Sequence, residues 1–203
     1  MASDGGRYGE AQRIYLDGVS AARCADDRPL AAQLLSSLSY QIADMGHLHD
    51  AAVLARSAVK GVGDASPIVR ALLWERVAWT SARSRDDAAT RRAQDAVDNA
   101  YEQRSSGVAE PEWVYWLNRA EIDVMAGRRT IELGDSHAAE PLFTNAIASY
   151  PADHAREVAL YLSWLAEAYA RAGIVDAARD TLTHARRAAQ GKTPRGSTFA
   201  SAT

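Results

Sequence analysis

His47 and His49 form an H-x-H pair flanked by Asp44 and Asp50, the densest group of metal-type donors in the chain. A closed zinc site takes four ligands, so the pair would need both aspartates. The other reading is a polar turn between two helices, and the residue types favour it. His137, His154 and His184 stand alone, and Cys24 is the single thiol. The chain has no Gly-rich phosphate loop, no G-x-S-x-G elbow and no H-E-x-x-H pair. No catalytic residue, metal or cofactor is expected, and the chain is not expected to be an enzyme. Basic pairs at Arg91–Arg92, Arg128–Arg129 and Arg186–Arg187 lie near acidic residues, as Arg119 lies near Glu121 and Asp123. Ion-paired helix faces explain them better than phosphate contacts. Trp113 and Trp116, with Tyr115 between them, would share one face of a helix. They would either pack on the preceding helix near Ala96 and Ala100, or anchor a partner helix or wall a ligand pocket.

The elements that position these residues follow from composition and period. The 203 residues are 47% hydrophobic and 24% charged, with net charge −3 and a pI near 6.0. Alanine makes up about a fifth of the chain, a helix former's composition. The charge balance gives no basic field to recruit nucleic acid or an anionic membrane. One cysteine excludes an internal disulfide framework. No apolar run approaches the roughly 18 residues of a membrane span, and the polar start MASDGGRYGE has no secretory core. A soluble, cytoplasmic protein is expected.

One string recurs: Gly, four residues, Ala, three residues, a larger or apolar residue, two residues, then Ala or Gly. It reads Gly6, Ala11, Tyr15, Gly18; then Gly46, Ala51, Ala55, Ala58; then Gly134, Ala139, Phe143, Ala146; and Gly173, Ala178, Leu182, Ala185. A weaker copy follows Arg85, Asp86 and Asp87, with Ala89, Ala93 and Ala96, a lost glycine and a turn read as one residue short. Upstream of each turn runs a second stripe: Leu35, Leu38, Ser39, Ile42; Trp74, Val77, Ala78, Ser81; Asp123, Ala126, Gly127, Thr130; and Leu162, Leu165, Ala166, Tyr169. Spacings of i, i+3, i+4, i+7 place each stripe on one helix face. Each copy therefore reads as a hairpin of helix A and helix B, with Gly at a turn that needs positive φ. Ser39, Ala78, Gly127 and Ala166 would let helix B approach, and Phe143 and Leu182 would fill the gap between hairpins. No hairpin buries its stripe alone, so the copies must stack.

Nine helices are expected, at about 7–24, 28–45, 48–61, 67–84, 86–104, 111–133, 136–149, 153–172 and 175–189. Pro29, Pro67, Pro111 and Pro151 fall at or just before helix starts. The segment RSSGVAEPE is the longest polar connection. The domain reading is a flexible start at 1–5, one helical repeat domain at 6–189 and a disordered Gly-, Ser-, Thr- and Pro-rich tail at 190–203. The first helix, with Ala11, Ile14, Tyr15 and Val19 on its apolar side, reads as a helix B lacking its helix A.

The spacing resembles the tetratricopeptide repeat, whose pattern of aromatic, Leu, small, Tyr, then Ala, Phe, Ala and a closing Pro is matched by Trp74, Leu165, Ala166, Tyr169, Ala139, Phe143, Ala146 and Pro151. The likeness covers roughly residues 5–189, with repeats of about 39–40 residues where the family has 34. It implies an all-α solenoid of stacked antiparallel hairpins forming a right-handed superhelix. It also implies that helix A lines a concave groove for extended peptides. Carried over position by position, the groove residues are Gln33, Ser36, Tyr40 and Asp44, then Glu75, Trp79 and Arg83, then Glu121, Arg128 and Glu132, then Glu167 and Arg171. The Lys and Asn clamp by which some members grip a C-terminal carboxylate is not evident.

Residues 111–189 also resemble the C-terminal repeat region of actinobacterial helix-turn-helix regulators of the phage-repressor type, without their DNA-binding domain. That resemblance implies a piece of, or descent from, a longer regulator, in which the repeats bias the linked DNA-binding domain. The expected function is a regulatory, interaction-mediating domain that takes a peptide, a small signal or a protein partner in its groove. The alternative is a free-standing adaptor between proteins. No direct nucleic-acid or membrane contact is expected, and a homodimer is allowed.

Overall fold

The computed structural model describes residues 7–105, 107–151 and 154–190. Those residues are all-α: α1 (Tyr8–Cys24), α2 (Arg28–Asp44), α3 (Leu48–Gly61), α4 (Pro67–Arg83), α5 (Asp87–Glu102), α6 (Arg119–Leu133), α7 (Ser136–Ser149), α8 (Ala155–Arg171) and α9 (Val175–Ala189). No strand occurs among them. The chain forms two compact units, Met1–Leu117 and Asn118–Thr203. In the first, α1 packs on α2, the hairpins α2/α3 and α4/α5 stack through α3 on α4, and α2 also touches α4. In the second, hairpins α6/α7 and α8/α9 stack chiefly through α7 on α8. The proposed flexible start and disordered tail fall outside the described residues, Gln190 excepted.

Five helices end in the same turn. Asp26, Gly46, Arg85, Gly134 and Gly173 all have positive φ, from 55 to 90°. In each case the N–H of that residue donates to the carbonyl three residues back, and the next N–H donates to the carbonyl five back. His47 to Ile42 at 3.1 Å and Asp86 to Ser81 at 3.0 Å are two examples. This doubly bonded left-handed cap satisfies carbonyls that the helix end would otherwise orphan. An aspartate follows three of these residues and caps the next helix: Asp27 accepts from the Leu30 N–H, Asp86 from Ala89 and Asp135 from Ala138. Two sequence expectations are corrected here. The turn after α4 is full length, because Arg85 takes the left-handed position in place of glycine at a steric cost. With that register α5 buries Thr90, Ala93, Val97, Ala100 and Tyr101, where the row Ala89, Ala93, Ala96 was expected.

Small residues set the interhelix approach. Ser39, Ala78 and Ala166 are buried, and a Cβ added at Gly127 would lie 2.9 Å from the Phe143 ring of α7. Phe143 fills that gap and is fully buried, whereas Leu182 at the matching place on α9 remains 42% exposed. Ile14 on α1 is exposed as well.

The single helix expected at 111–133 is also corrected. Residues Glu112–Val114 form a short 3-10 turn, and α6 starts only at Arg119. The extended Asn118 caps it, its side chain accepting from the Glu121 N–H at 3.1 Å. The run Trp113–Val114–Tyr115–Trp116 has modest helix propensity, and a good cap five residues into it wins. Val114 and Leu117 turn inward, the Trp116 indole donates to the Trp113 carbonyl at 3.1 Å, and Tyr115 stands 86% exposed. Upstream, Glu110 reaches back to α4, accepting from the Ile68 N–H at 3.2 Å and from the Ser66 hydroxyl. It thereby serves an N-terminus whose own cap residue makes no such bond.

Two substitutions test this packing by urea denaturation. Arg85→Gly is expected to stabilise by about 1 kcal/mol, since glycine takes positive φ without strain. Gly127→Ala is expected to destabilise by about 1–3 kcal/mol through overpacking, although Gly→Ala in an open helix interior stabilises by about 1 kcal/mol. Adding Phe143→Leu should recover part of that loss. A Gly127→Ala protein as stable as its parent contradicts the close approach.

Candidate functional site

The residues expected to line a groove lie on the A helices α2, α4, α6 and α8, and the structure joins them into rows across neighbouring helices. In the first unit Tyr40 of α2 stacks on Trp79 of α4, ring centroids 5.4 Å apart. The Arg76 guanidinium lies 4.7 Å over the Tyr40 ring and that of Arg83 5.5 Å over Trp79. Arg83 Nη1 donates to Asp44 Oδ1 at 3.0 Å. In the second unit Arg128 of α6 lies 4.4 Å over the Trp164 ring of α8, which stacks on Tyr161 at 5.7 Å. Arg171 Nη2 is 3.6 Å from Glu132 and 2.6 Å from Glu167. Glu121 accepts from the hydroxyls of both Tyr150 and Tyr161.

The two units use one register. Asp44, Arg83, Glu132 and Arg171 each stand two residues before the left-handed turn residue, and their signs alternate, so neighbouring A helices pair acid with base. Tyr40 and Arg128 stand six residues before the turn. Arg76 and Trp164, on the helices that follow, stand nine before it. Both pairs place a guanidinium on an aromatic face, with the partners exchanged. The side chains of Arg83 and Asp44 are 22% and 43% exposed, so the pair is worth no more than about 1 kcal/mol.

Not every expected residue faces solvent. Ser36 and Glu75 are buried and Trp79 is 3% exposed. The Ser36 hydroxyl donates to the Gln33 carbonyl at 2.8 Å. Gln33, Tyr40, Arg83, Glu121, Arg128 and Glu132 are half-buried, while Asp44, Glu167 and Arg171 are exposed. Arg76, Tyr150, Tyr161 and Trp164 belong to the same rows and were missed. For Arg76 and Trp164 the signal was present as fixed distance from the turn. A cleft of about 500 Å³ opens beside the Glu121 cluster, lined by Asn118, Arg119, Asp123, Asn145, Tyr150 and His154 among others. His47 and His49 are exposed at the α2/α3 turn. Among the described residues no group of three or more His, Cys, Asp or Glu could hold a metal, and no helix is long and apolar enough to cross a membrane.

Burial raises the Tyr150, Tyr161 and Tyr169 phenols above the usual range. Hydrogen bonds from the first two to Glu121, and from Tyr169 to Glu140 at 2.8 Å, add to it.

No family model matches the chain, and no curated protein matches it. Among solved structures, the crystal structure of MamA protein is similar over 95% of this chain and 100% of that one, at 16% identity and a TM-score of 0.49. The fold is read from the hairpins themselves, antiparallel helix pairs that stack within each unit.

The raised phenols give an alkaline signature. The folded state holds these three tyrosines neutral, so their contribution is complete below about pH 10, the unfolded value. It is lost as pH rises above that towards the folded values. Tyrosinate absorbance should therefore show three tyrosines resisting ionisation until the protein unfolds. In Tyr161→Phe the number should fall by one. Simple titration of all eight tyrosines near pH 10 contradicts the geometry.

Proposed function

We propose that the chain is an interaction module whose A helices bind an extended peptide carrying both charges. The observation that supports this is the repeated register. In each unit an exposed or half-exposed arginine sits on a neighbouring helix's carboxylate, beside a guanidinium on an aromatic ring. Such exposed ion pairs are weak, so a ligand carboxylate or guanidinium can replace one partner at small cost. The aromatic faces supply anchoring area. The contact surface comprises Gln33, Tyr40, Asp44 and Arg83 in the first unit and Arg128, Glu132, Glu167 and Arg171 in the second. Ser36, Glu75 and Trp79 hold the helices that carry it, and Glu121 holds the Tyr150 and Tyr161 hydroxyls. In this reading 6–189 is the repeat domain. The sequence likeness to helix-turn-helix regulators supports a further role, in which peptide or signal binding biases a linked DNA-binding domain.

The test is an array of ten-residue peptides alternating Arg and Glu around a tyrosine, probed with the purified chain. Micromolar binding is expected, weakened about tenfold by Arg83→Glu or Arg171→Glu, a change of about 1.4 kcal/mol, with helical circular dichroism unchanged. Trp79→Ala serves as a folding control and should cost about 3–5 kcal/mol, because that ring is buried. Binding indifferent to both arginine reversals contradicts the assignment.

A further inference from the structure

Between α8 and α9 lies a groove of about 970 Å³ whose floor is small and apolar, including Ala159 and Ala185. Two large side chains rise from it, Leu160 at 47% and Leu182 at 42% exposure. Exposed leucines scattered singly need no explanation, but two in one groove mark a contact surface.

The repeat shows what kind of object covers such a face. Leu182 stands nine residues after the turn glycine Gly173, where Phe143 stands nine after Gly134. Leu160 stands thirteen before its glycine, as Glu121 does before Gly134, and Arg186 matches Ile147 on the other side. On the earlier hairpin this face is covered by a helix. The Tyr161 hydroxyl of α8 donates to Glu121, Trp164 lies 6.4 Å from Phe143, and Ile147 packs in the cluster with Leu162. The α8/α9 face has the same geometry with different chemistry. Leucine replaces the hydrogen-bonding glutamate, and an arginine replaces the isoleucine.

Charge decides the occupant. Arg156 and Arg186 border the groove, both exposed, and neither makes an ion pair among the described residues.

We propose that the α8/α9 groove is a docking site for an acidic amphipathic helix of a partner protein, seated as α8 is seated on α6 and α7. The leucine stripe of that helix lies between Leu160 and Leu182 over the alanine floor, and its flanking carboxylates meet Arg156 and Arg186. From Ala155 to Ser163 the groove spans about 12 Å of helix, room for two turns of a partner. Small residues let the backbones approach closely, as Gly127 does under Phe143. This site shares no residue with the peptide surface proposed above, so either assignment can fail without the other.

The experiment is fluorescence anisotropy of the full chain with a labelled 18-residue amphipathic helical peptide, leucines at i, i+3, i+7 spacing and glutamates beside them, against the same peptide with lysines for glutamates. The glutamate peptide is expected to bind at least about tenfold tighter. Leu182→Glu, at an exposed position that leaves folding intact, should remove that binding. The double variant Arg156→Glu, Arg186→Glu should invert the preference. Equal binding of the two peptides, no binding of either, or an unaffected Leu182→Glu protein overturns the proposal. So does sedimentation showing a dimer of the free chain that Leu160→Glu dissociates, since the groove would then belong to a second copy.

Discussion

A helix that reverses direction leaves its last carbonyls without partners, and here one backbone device answers that problem five times. A single residue enters the left-handed region, and its N–H and the next one close back on the helix end. Everything on the A helices is counted from that residue. It fixes which side of helix A meets helix B and sets the depth at which Ser39, Ala78, Gly127 and Ala166 admit the partner. It also fixes which side chains face the neighbouring hairpin. Asp26 and Arg85 hold the same geometry without glycine, so stacking imposes the turn even where the local residue resists it.

The rows across neighbouring A helices follow from this shared origin. Asp44 meets Arg83 and Glu132 meets Arg171 because both partners stand at one height above their turns. The guanidinium–aromatic pairs obey the same rule with their partners exchanged, which preserves the contact and reverses its direction. Two polar contacts hold the helices beneath the rows: the Glu121 carboxylate takes two phenol donors, and Ser39 donates to the Ser36 carbonyl at 2.6 Å. The outer members are the weak, exchangeable ones. The proposed peptide contact relies on these weak outer pairs, which an incoming charge can displace at small cost.

Most of the helices were legible because their signals are local. The glycines at 46, 134 and 173 and the small-residue stripes mark a hairpin by type and spacing alone. The turn at Arg85 was harder to read, since positive φ at arginine is imposed by tertiary stacking and has no residue signature. The late start of α6 came from competition. The aromatic run around Trp113 has an apolar helical period, but the Asn118 cap and the weak propensity of that run break it. On the candidate surface, fixed height above the turn placed Asp44 opposite Arg83. The burial of Trp79 and Glu75 depends on how close α2 comes to α4, a distance that sequence period does not carry. The Tyr150 and Tyr161 hydroxyls reach Glu121 from two other helices, a convergence with no sequence spacing of its own.

The most direct measurement of the central claim is an NMR titration that follows the arginine Nε–Hε signals while a mixed-charge, tyrosine-centred peptide is added. Signals of Arg83 in the first unit, and of Arg128 and Arg171 in the second, are each expected to shift in a saturable way, while those of Arg91 and Arg179 on the B helices α5 and α9 stay in place. Shifts confined to the B helices, or no saturable shift at any arginine of α2, α4, α6 and α8, contradict the account.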